Sequence, residues 1–162
     1  EHRRVLGRLC GWGAANDATH ITAPARDGCG LTQATRACLA RAGVAPVDVA
    51  AVSAHGTGTV YNDLMELVSF DDVFGDRRLP VNSVKGALGH TLAAAGGIEL
   101  VLGLRALDEG VLPPTAGLQA AEPRAVTRVA NEPQAFDGDY LLSTNSGFGG
   151  INAALLLARG GQ

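Results

Sequence analysis

The rhythm of apolar and polar positions changes several times along the chain, and each change predicts an element. Val5 to Ala14 is dominated by apolar and small residues and reads as a strand. A polar loop carrying Asp17, His20, Thr22 and Pro24 follows. Leu31, Ala34, Cys38, Leu39 and Ala42 recur at helical spacing, Arg36 and Arg41 face outward, and Gly43 suits the stop. Val49 to Ala54 predicts a short strand. Asn62 is placed to cap a helix running to about Phe74, with Asp63 and Glu66 in its favourable first turn. Leu79 to Ser83 predicts another strand. From about Thr91 to Glu109 nearly every position is apolar, Leu92, Ile98, Val101, Leu102 and Leu104 among them, which predicts a helix buried on most sides. Pro113 and Pro114 end that unit. Two last strands, about Tyr140 to Asn145 and Ile151 to Ala158, flank the turn Gly147-Phe148-Gly149-Gly150. Strands alternating with helices imply an α/β sheet with parallel segments, closed by a terminal antiparallel pair.

Composition narrows the picture. The 162 residues suit one domain, and 46% hydrophobic with 18% charged residues is too apolar for disorder. Aromatics are only 4% while glycines number 22, so the interior must come from close backbone approach and small side chains. A net charge of −3 leaves no basic footprint for nucleic acid. Cys10, Cys29 and Cys38 are scattered and odd in number, which argues against a disulfide framework or a metal site. The apolar run from Leu92 to Leu107 is interrupted by Glu99 and Arg105 and is shorter than the ~20 residues a membrane span needs, so the chain reads as cytoplasmic.

Candidate chemistry gathers in three polar, glycine-rich loops. These are His55 to Thr59 (HGTGT), Ser83 to Thr91 (SVKGALGHT) and Asn145 to Gly150 (NSGFGG), each placed just past a predicted strand, where α/β sheets collect their functional groups. Lys85 in the second loop is the only lysine among 13 fixed cations. Neither a P-loop nor a GxSxG elbow is present, and the GFGG turn opens no helix, so it is no phosphate cradle.

The loops, with GWGAANDATHITAP before them and GFGGINAALLL at the end, resemble the C-terminal half of a β-ketoacyl-ACP synthase, a condensing enzyme of the thiolase fold. The resemblance covers nearly the whole chain. It implies the C-terminal half of a thiolase-like α/β fold over residues 1–162, with a mixed five-stranded sheet and a buried central helix. It also implies decarboxylative Claisen condensation of malonyl-ACP with a cysteine-bound acyl chain, in fatty acid or polyketide biosynthesis. His55 and His90 match the family's two active-site histidines, which donate hydrogen bonds to the malonyl thioester oxygen. Lys85 matches its buried lysine and Glu99 the companion carboxylate; a compact ammonium fits among small residues better than a planar guanidinium. His90 is expected at the start of the long helix, where the positive helix end favours a neutral ring. Thr57 and Thr59, with Thr22, match hydroxyls that hold phosphopantetheine, which arrives on the acyl carrier protein; no other cofactor is implied. Phe148 matches the gatekeeper whose backbone N–H completes an oxyanion hole, between Gly147 and Gly149.

Departures from the family pattern also carry expectations. The aromatic usual before GFGG is Ser146, which bears on the acyl pocket, and Val60-Tyr61-Asn62-Asp63 leans toward a discrete enzyme. Nothing resembles the segment bearing the nucleophilic cysteine. The chain, opening at Glu1-His2, is therefore expected to be inactive alone and to need an N-terminal half or companion polypeptide. The implied partners are that polypeptide, acyl carrier protein, and a second subunit in a homodimer or ketosynthase-type heterodimer. The alternative is a non-catalytic chain-length-factor-type subunit, against which His55, Lys85 and His90 speak. A degradative thiolase would carry a late cysteine, and none follows Cys38. Among the remaining residues, His20 reads as orienting its loop and His2 as a solvated terminus. Cys29 has the setting of an activated thiolate but matches no family nucleophile. Arg3, Arg4, Arg8, Arg36 and Arg41 read as a solvated face.

Overall fold

The computed structural model describes residues 4–161. Its core is a five-stranded mixed sheet built from β1 (Gly7–Asn16), β2 (Val49–Ser53), β3 (Val81–Asn82), β6 (Tyr140–Gly147) and β7 (Ile151–Arg159), in the order β1-β7-β6-β2-β3. β2 runs parallel to β3 and β6, whereas β7 is antiparallel to both β6 and β1. The expected mixed sheet with a closing antiparallel pair is therefore present.

Helices α1 (Cys29–Ala42) and α2 (Val60–Phe74) cover one face, where Leu31, Met65, Phe70, Val52, Leu142 and Leu156 form the larger apolar cluster. The alternating glycines of Gly11-Trp12-Gly13 explain how α1 lies so close to β1. A Cβ on Gly13 would stand 1.9 Å from the Ala34 carbonyl oxygen, and one on Gly11 would stand 2.4 Å from that of Cys38. Gly43 takes a left-handed conformation, φ 66°, and stops α1 as its position predicts.

The other face is covered by α4 (Ala95–Glu109), which packs Ala106 and Leu107 on Ala51, Leu141 and Leu157. Here the structure departs from expectation. The single long helix from Thr91 is replaced by a one-turn helix α3 (Lys85–Leu88), a 3₁₀ turn over Leu92–Ala94, and then α4. Positive φ at Gly89 (77°) and Leu92 (51°) breaks the run. Burial of α4 is also one-sided: Ala95, Glu99, Gly103, Ala106 and Leu107 face inward, while Val101 is 61% exposed. One sheet face can cover only one stripe of a helix, and Gly97, Val101, Arg105 and Glu109 run along the exposed side.

Smaller corrections concern boundaries. β1 starts at Gly7 and continues through Asn16, and β3 shrinks to two residues. Thr59, not Asn62, occupies the N-cap of α2; Asn62 lies inside the first turn and donates to Glu66. A ribbon of β4 (Val111–Leu112) and β5 (Gln134–Ala135) has no counterpart in the sequence reading, because two-residue strands are too short to show a period. His20 does orient its loop, its Nδ1 accepting from the Thr22 and Ala23 N–H groups. His2 and Arg3 lie outside the described residues.

Candidate functional site

Because β2, β3 and β6 are parallel, their carboxyl ends share one edge of the sheet, and the three glycine-rich loops meet there. The loop after β2 carries His55, which is buried at 5% exposure. The segment after α3 brings His90 against it, with ring centroids 5.3 Å apart and planes at 79°. His90 itself is exposed and precedes the 3₁₀ turn, well short of α4, so no long helix dipole acts on it. Its ring is held locally instead: the Leu92 N–H donates to His90 Nδ1 at 3.2 Å. That leaves the proton on Nε2, facing outward as a donor.

Lys85 and Glu99 form a buried ion pair beneath the two rings. The second oxygen of Glu99 accepts from Asn145 Nδ2 at 2.8 Å. A carboxylate can only accept, so this contact sets the amide's orientation and turns Asn145 Oδ1 toward His55 Nδ1, 3.3 Å away. His55 therefore donates from Nδ1 and keeps a lone pair on Nε2. Burial first, then the Lys85 charge, hold His55 down at about 4, so the ring is neutral near pH 7 despite the opposing Asn145 contact. The two imidazoles thus differ: His90 offers a donor, whereas His55 offers an acceptor.

A second carboxylate secures this arrangement from behind. Glu66 is 2% exposed and accepts from the backbone N–H groups of His55 (2.8 Å) and Gly56 (2.7 Å), from Asn62 Nδ2 (3.0 Å) and from Thr144 Oγ1 (3.2 Å). Burial pushes its carboxyl up to about 7 against the pull of those backbone donors. The sequence reads Glu66 as a carboxylate in the favourable first turn of its helix. The signal that could have found it is its place between Met65 and Leu67 on the inward stripe of α2. Asn145 offered less: a polar residue at the end of an apolar strand.

The remaining predicted residues occupy the rim. Thr57 and Thr59 stand on the His55 loop with hydroxyls 2.8 Å apart. Phe148 is 78% exposed at the tip of the β6–β7 turn, with Gly147 and Gly149 on either side. That turn is clasped to the loop holding Thr22: Gly149 N–H donates to the Ile21 carbonyl at 2.6 Å, and Asn16 Nδ2 donates to the Gly149 carbonyl at 2.9 Å. Asp17, in the GWGAANDATHITAP segment, completes the clasp by accepting from Asn152 Nδ2 and from the Ala25 N–H, both at 2.8 Å. Ser146 donates to Asn152 Oδ1 at 2.7 Å, so the hydroxyl that replaces an aromatic is tied down. Cys29 is exposed, and its hydrogen bond with Asp27 raises the thiol, the opposite of activation. Among the described residues no cluster of three or more His, Cys, Asp or Glu side chains is arranged to hold a metal.

The model of the family "Beta-ketoacyl synthase, C-terminal domain" matches residues 6–119. A 3-oxoacyl-[acyl-carrier-protein] synthase 2 of Staphylococcus aureus is 37% identical over 155 residues, which is 94% of this chain and 38% of that protein. The ishigamide ketosynthase/chain length factor structure superposes with a TM-score of 0.91 at 34% identity, over 98% of this chain and 39% of its own. A type II PKS acyl-carrier protein in complex with its ketosynthase gives 0.91 at 29%, over 96% and 39%. The chain thus spans about 38% of the length of the curated relatives it matches.

Proposed function

The chain belongs to the β-ketoacyl synthase family, carrying its C-terminal domain, and from this membership and the site we propose that it forms part of an enzyme condensing malonyl-ACP with an acyl chain. The observation that carries the reading is the chain of contacts from Lys85 through Glu99 and Asn145 to His55, with His90 against it. The acyl chain would be held as a thioester on a cysteine outside these 162 residues, in an N-terminal half or a companion polypeptide.

In the condensing step the bond from the malonyl α-carbon to its carboxylate breaks, and its electron pair passes into an enolate. His90 Nε2–H donates to the enolate oxygen, where negative charge develops, while carbon dioxide departs. The enolate carbon then attacks the acyl carbonyl, the Phe148 N–H receives the oxyanion, and the cysteine sulfur leaves as thiolate. His55 has no proton on Nε2 and so takes a hydrogen bond or a proton from a water or thiol entering beside it. Burial, with the Lys85 charge second, keeps His55 uncharged, and Glu99 compensates the buried ammonium. Thr57, Thr59 and Thr22 hold the phosphopantetheine arm, with acyl carrier protein as the partner that delivers it.

A homodimer or a ketosynthase/chain-length-factor heterodimer completes this reading, supported by solved relatives described as ketosynthase complexes with a chain length factor. A purely structural, chain-length-factor role is disfavoured by the intact site. The test is reconstitution. The full-length protein with acyl-ACP and radiolabelled malonyl-ACP should form the two-carbon-longer 3-oxoacyl-ACP, and the isolated chain should form none. Turnover by the isolated chain, or none by the full-length protein with its partner, overturns the proposal.

A further inference from the structure

Arg26 stands apart from most of the chain's arginines. Its guanidinium lies over the ring of Tyr61, 4.9 Å from the centroid, and among the described residues it makes neither an ion pair nor a hydrogen bond. Arg8 and Arg78 are equally unengaged, but Arg8 lies at the amino end of β1 and Arg78 ahead of β3, on the edge of the sheet away from the two histidines. Arg26 is at the carboxyl edge, because its neighbour Ala25 donates to Asp17 immediately past the end of β1.

The stack joins the two segments that carry the rim threonines. Arg26 follows Thr22 on one of them, and Tyr61 follows Thr59 on the other, in the first turn of α2. Both side chains face solvent, Tyr61 at 57% exposure. An arginine lying over an aromatic ring gives one face to it and keeps the N–H donors around its edge free. With the long side chain already held, little further freedom is lost when those donors take up an oxyanion. The pair is therefore built as an anion receptor.

We propose that Arg26, held by Tyr61, grips the phosphate of the phosphopantetheine arm, so that this chain favours phosphorylated over unphosphorylated pantetheine thioesters. The inference rests on the condensing function proposed above. In that reading the thioester end of the arm reaches the two histidines, while Thr57, Thr59 and Thr22 hold its middle. The phosphate ends the arm on the other side of those hydroxyls, where Arg26 and Tyr61 come next along both segments. A phosphate presents negative charge on paired oxygens, which the edge of a guanidinium takes two at a time. Tyr61 is a positioning residue here, touching the guanidinium and not the phosphate.

The test compares malonyl-pantetheine, malonyl-phosphopantetheine and malonyl-ACP as donors for the full-length, cysteine-acylated protein. In the wild type the KM for malonyl-phosphopantetheine should lie about tenfold below that for malonyl-pantetheine, and the gap should narrow as salt is raised. Arg26→Gln should close the gap by raising the first KM, with kcat and the KM for malonyl-pantetheine within about twofold of wild type. Tyr61→Leu keeps the charge and frees the side chain, and should close the gap in part; an undiminished gap removes the ring's positioning role. A preference for the phosphorylated arm that survives Arg26→Gln overturns the proposal. So does a loss confined to malonyl-ACP, which would put the guanidinium on acidic side chains of the carrier. Phosphopantetheine and pantetheine themselves, titrated against the protein by NMR, keep this inference separate from turnover. Should the protein fail to condense, the proposed function falls; an Arg26-dependent preference in the titration then upholds the phosphate grip, and equal affinities overturn it.

Discussion

His55 and His90 are the same residue type 5.3 Å apart, yet the chain treats them in opposite ways. His55 is enclosed by its own half of the molecule: Glu66 grips its backbone, Asn145 orients its ring, and burial keeps it neutral. His90 stands exposed on a short irregular segment, with one backbone N–H holding its ring. The contrast lies in what fixes each ring: the core holds His55 neutral from several sides, whereas a single backbone contact sets the tautomer of His90.

Variants of the full-length protein can break or sharpen that contrast. The largest effect is expected at His90: His90→Ala should cost about 10²–10³ in malonyl decarboxylation, the usual loss for one donor to a developing oxyanion. Cysteine acylation, followed by mass spectrometry, should persist. Equal loss of both half-reactions would show that His90 does not act on the malonyl group alone.

Lys85 comes next. Lys85→Ala leaves Glu99 buried without its cation and should lower stability by about 3–5 kcal/mol in urea unfolding. Lys85→Met combined with Glu99→Leu should recover most of the stability and none of the decarboxylation. Recovered turnover would mean that the ammonium acts only as packing.

Glu66→Gln is expected to cost about 1–3 kcal/mol, because the amide NH2 would face one of the two backbone N–H donors, His55 or Gly56, that the carboxylate oxygens now accept from. It also carries a pH signature. Glu66, raised to about 7 in the folded state, binds its proton more tightly there than in the unfolded chain, so its contribution is present at low pH and lost as pH rises toward 7. His55, lowered to about 4, binds its proton less tightly when folded, so its contribution grows as pH rises from about 4 toward its ordinary value of 6.5. The two slopes oppose each other. Unfolding measured against pH should therefore steepen upward in Glu66→Gln and turn downward in His55→Gln; parallel slopes would refute the assignment.

The smallest effect belongs to Asn145→Ser. It frees the His55 ring and takes one donor from the buried Glu99, so it should lower turnover by about tenfold and stability by about 1 kcal/mol. Unchanged turnover would show that the amide does not set the ring's tautomer.

Much of this site was legible in the order of residues. His55, Lys85 and His90 lie in loops whose glycines and strand-end positions mark them, and Glu99 interrupts an apolar helix where only a buried partner explains a charge. Glu66 was misread because the favourable effect of an acid near a helix start is local, whereas its real partners lie across a turn and on a neighbouring strand. Asn145 falls in a marked loop, but its role is hidden for the same reason: its meaning comes from Glu99 and His55, both far away in sequence. The exposure of Val101 on α4 could not be anticipated either, since periodicity reports how apolar a helix is and not what lies against each side.

Leu92 carries a consequence of its own. Its φ of 51° is uncomfortable for a side chain with a Cβ, and the same bend aims its amide at the neighbouring imidazole. Leu92→Gly would ease that discomfort and also widen the conformations open to the segment. A calorimeter and an NMR spectrum of the ring nitrogens would then disagree about whether the protein had improved: the backbone more at rest, the imidazole free to swap its proton between nitrogens.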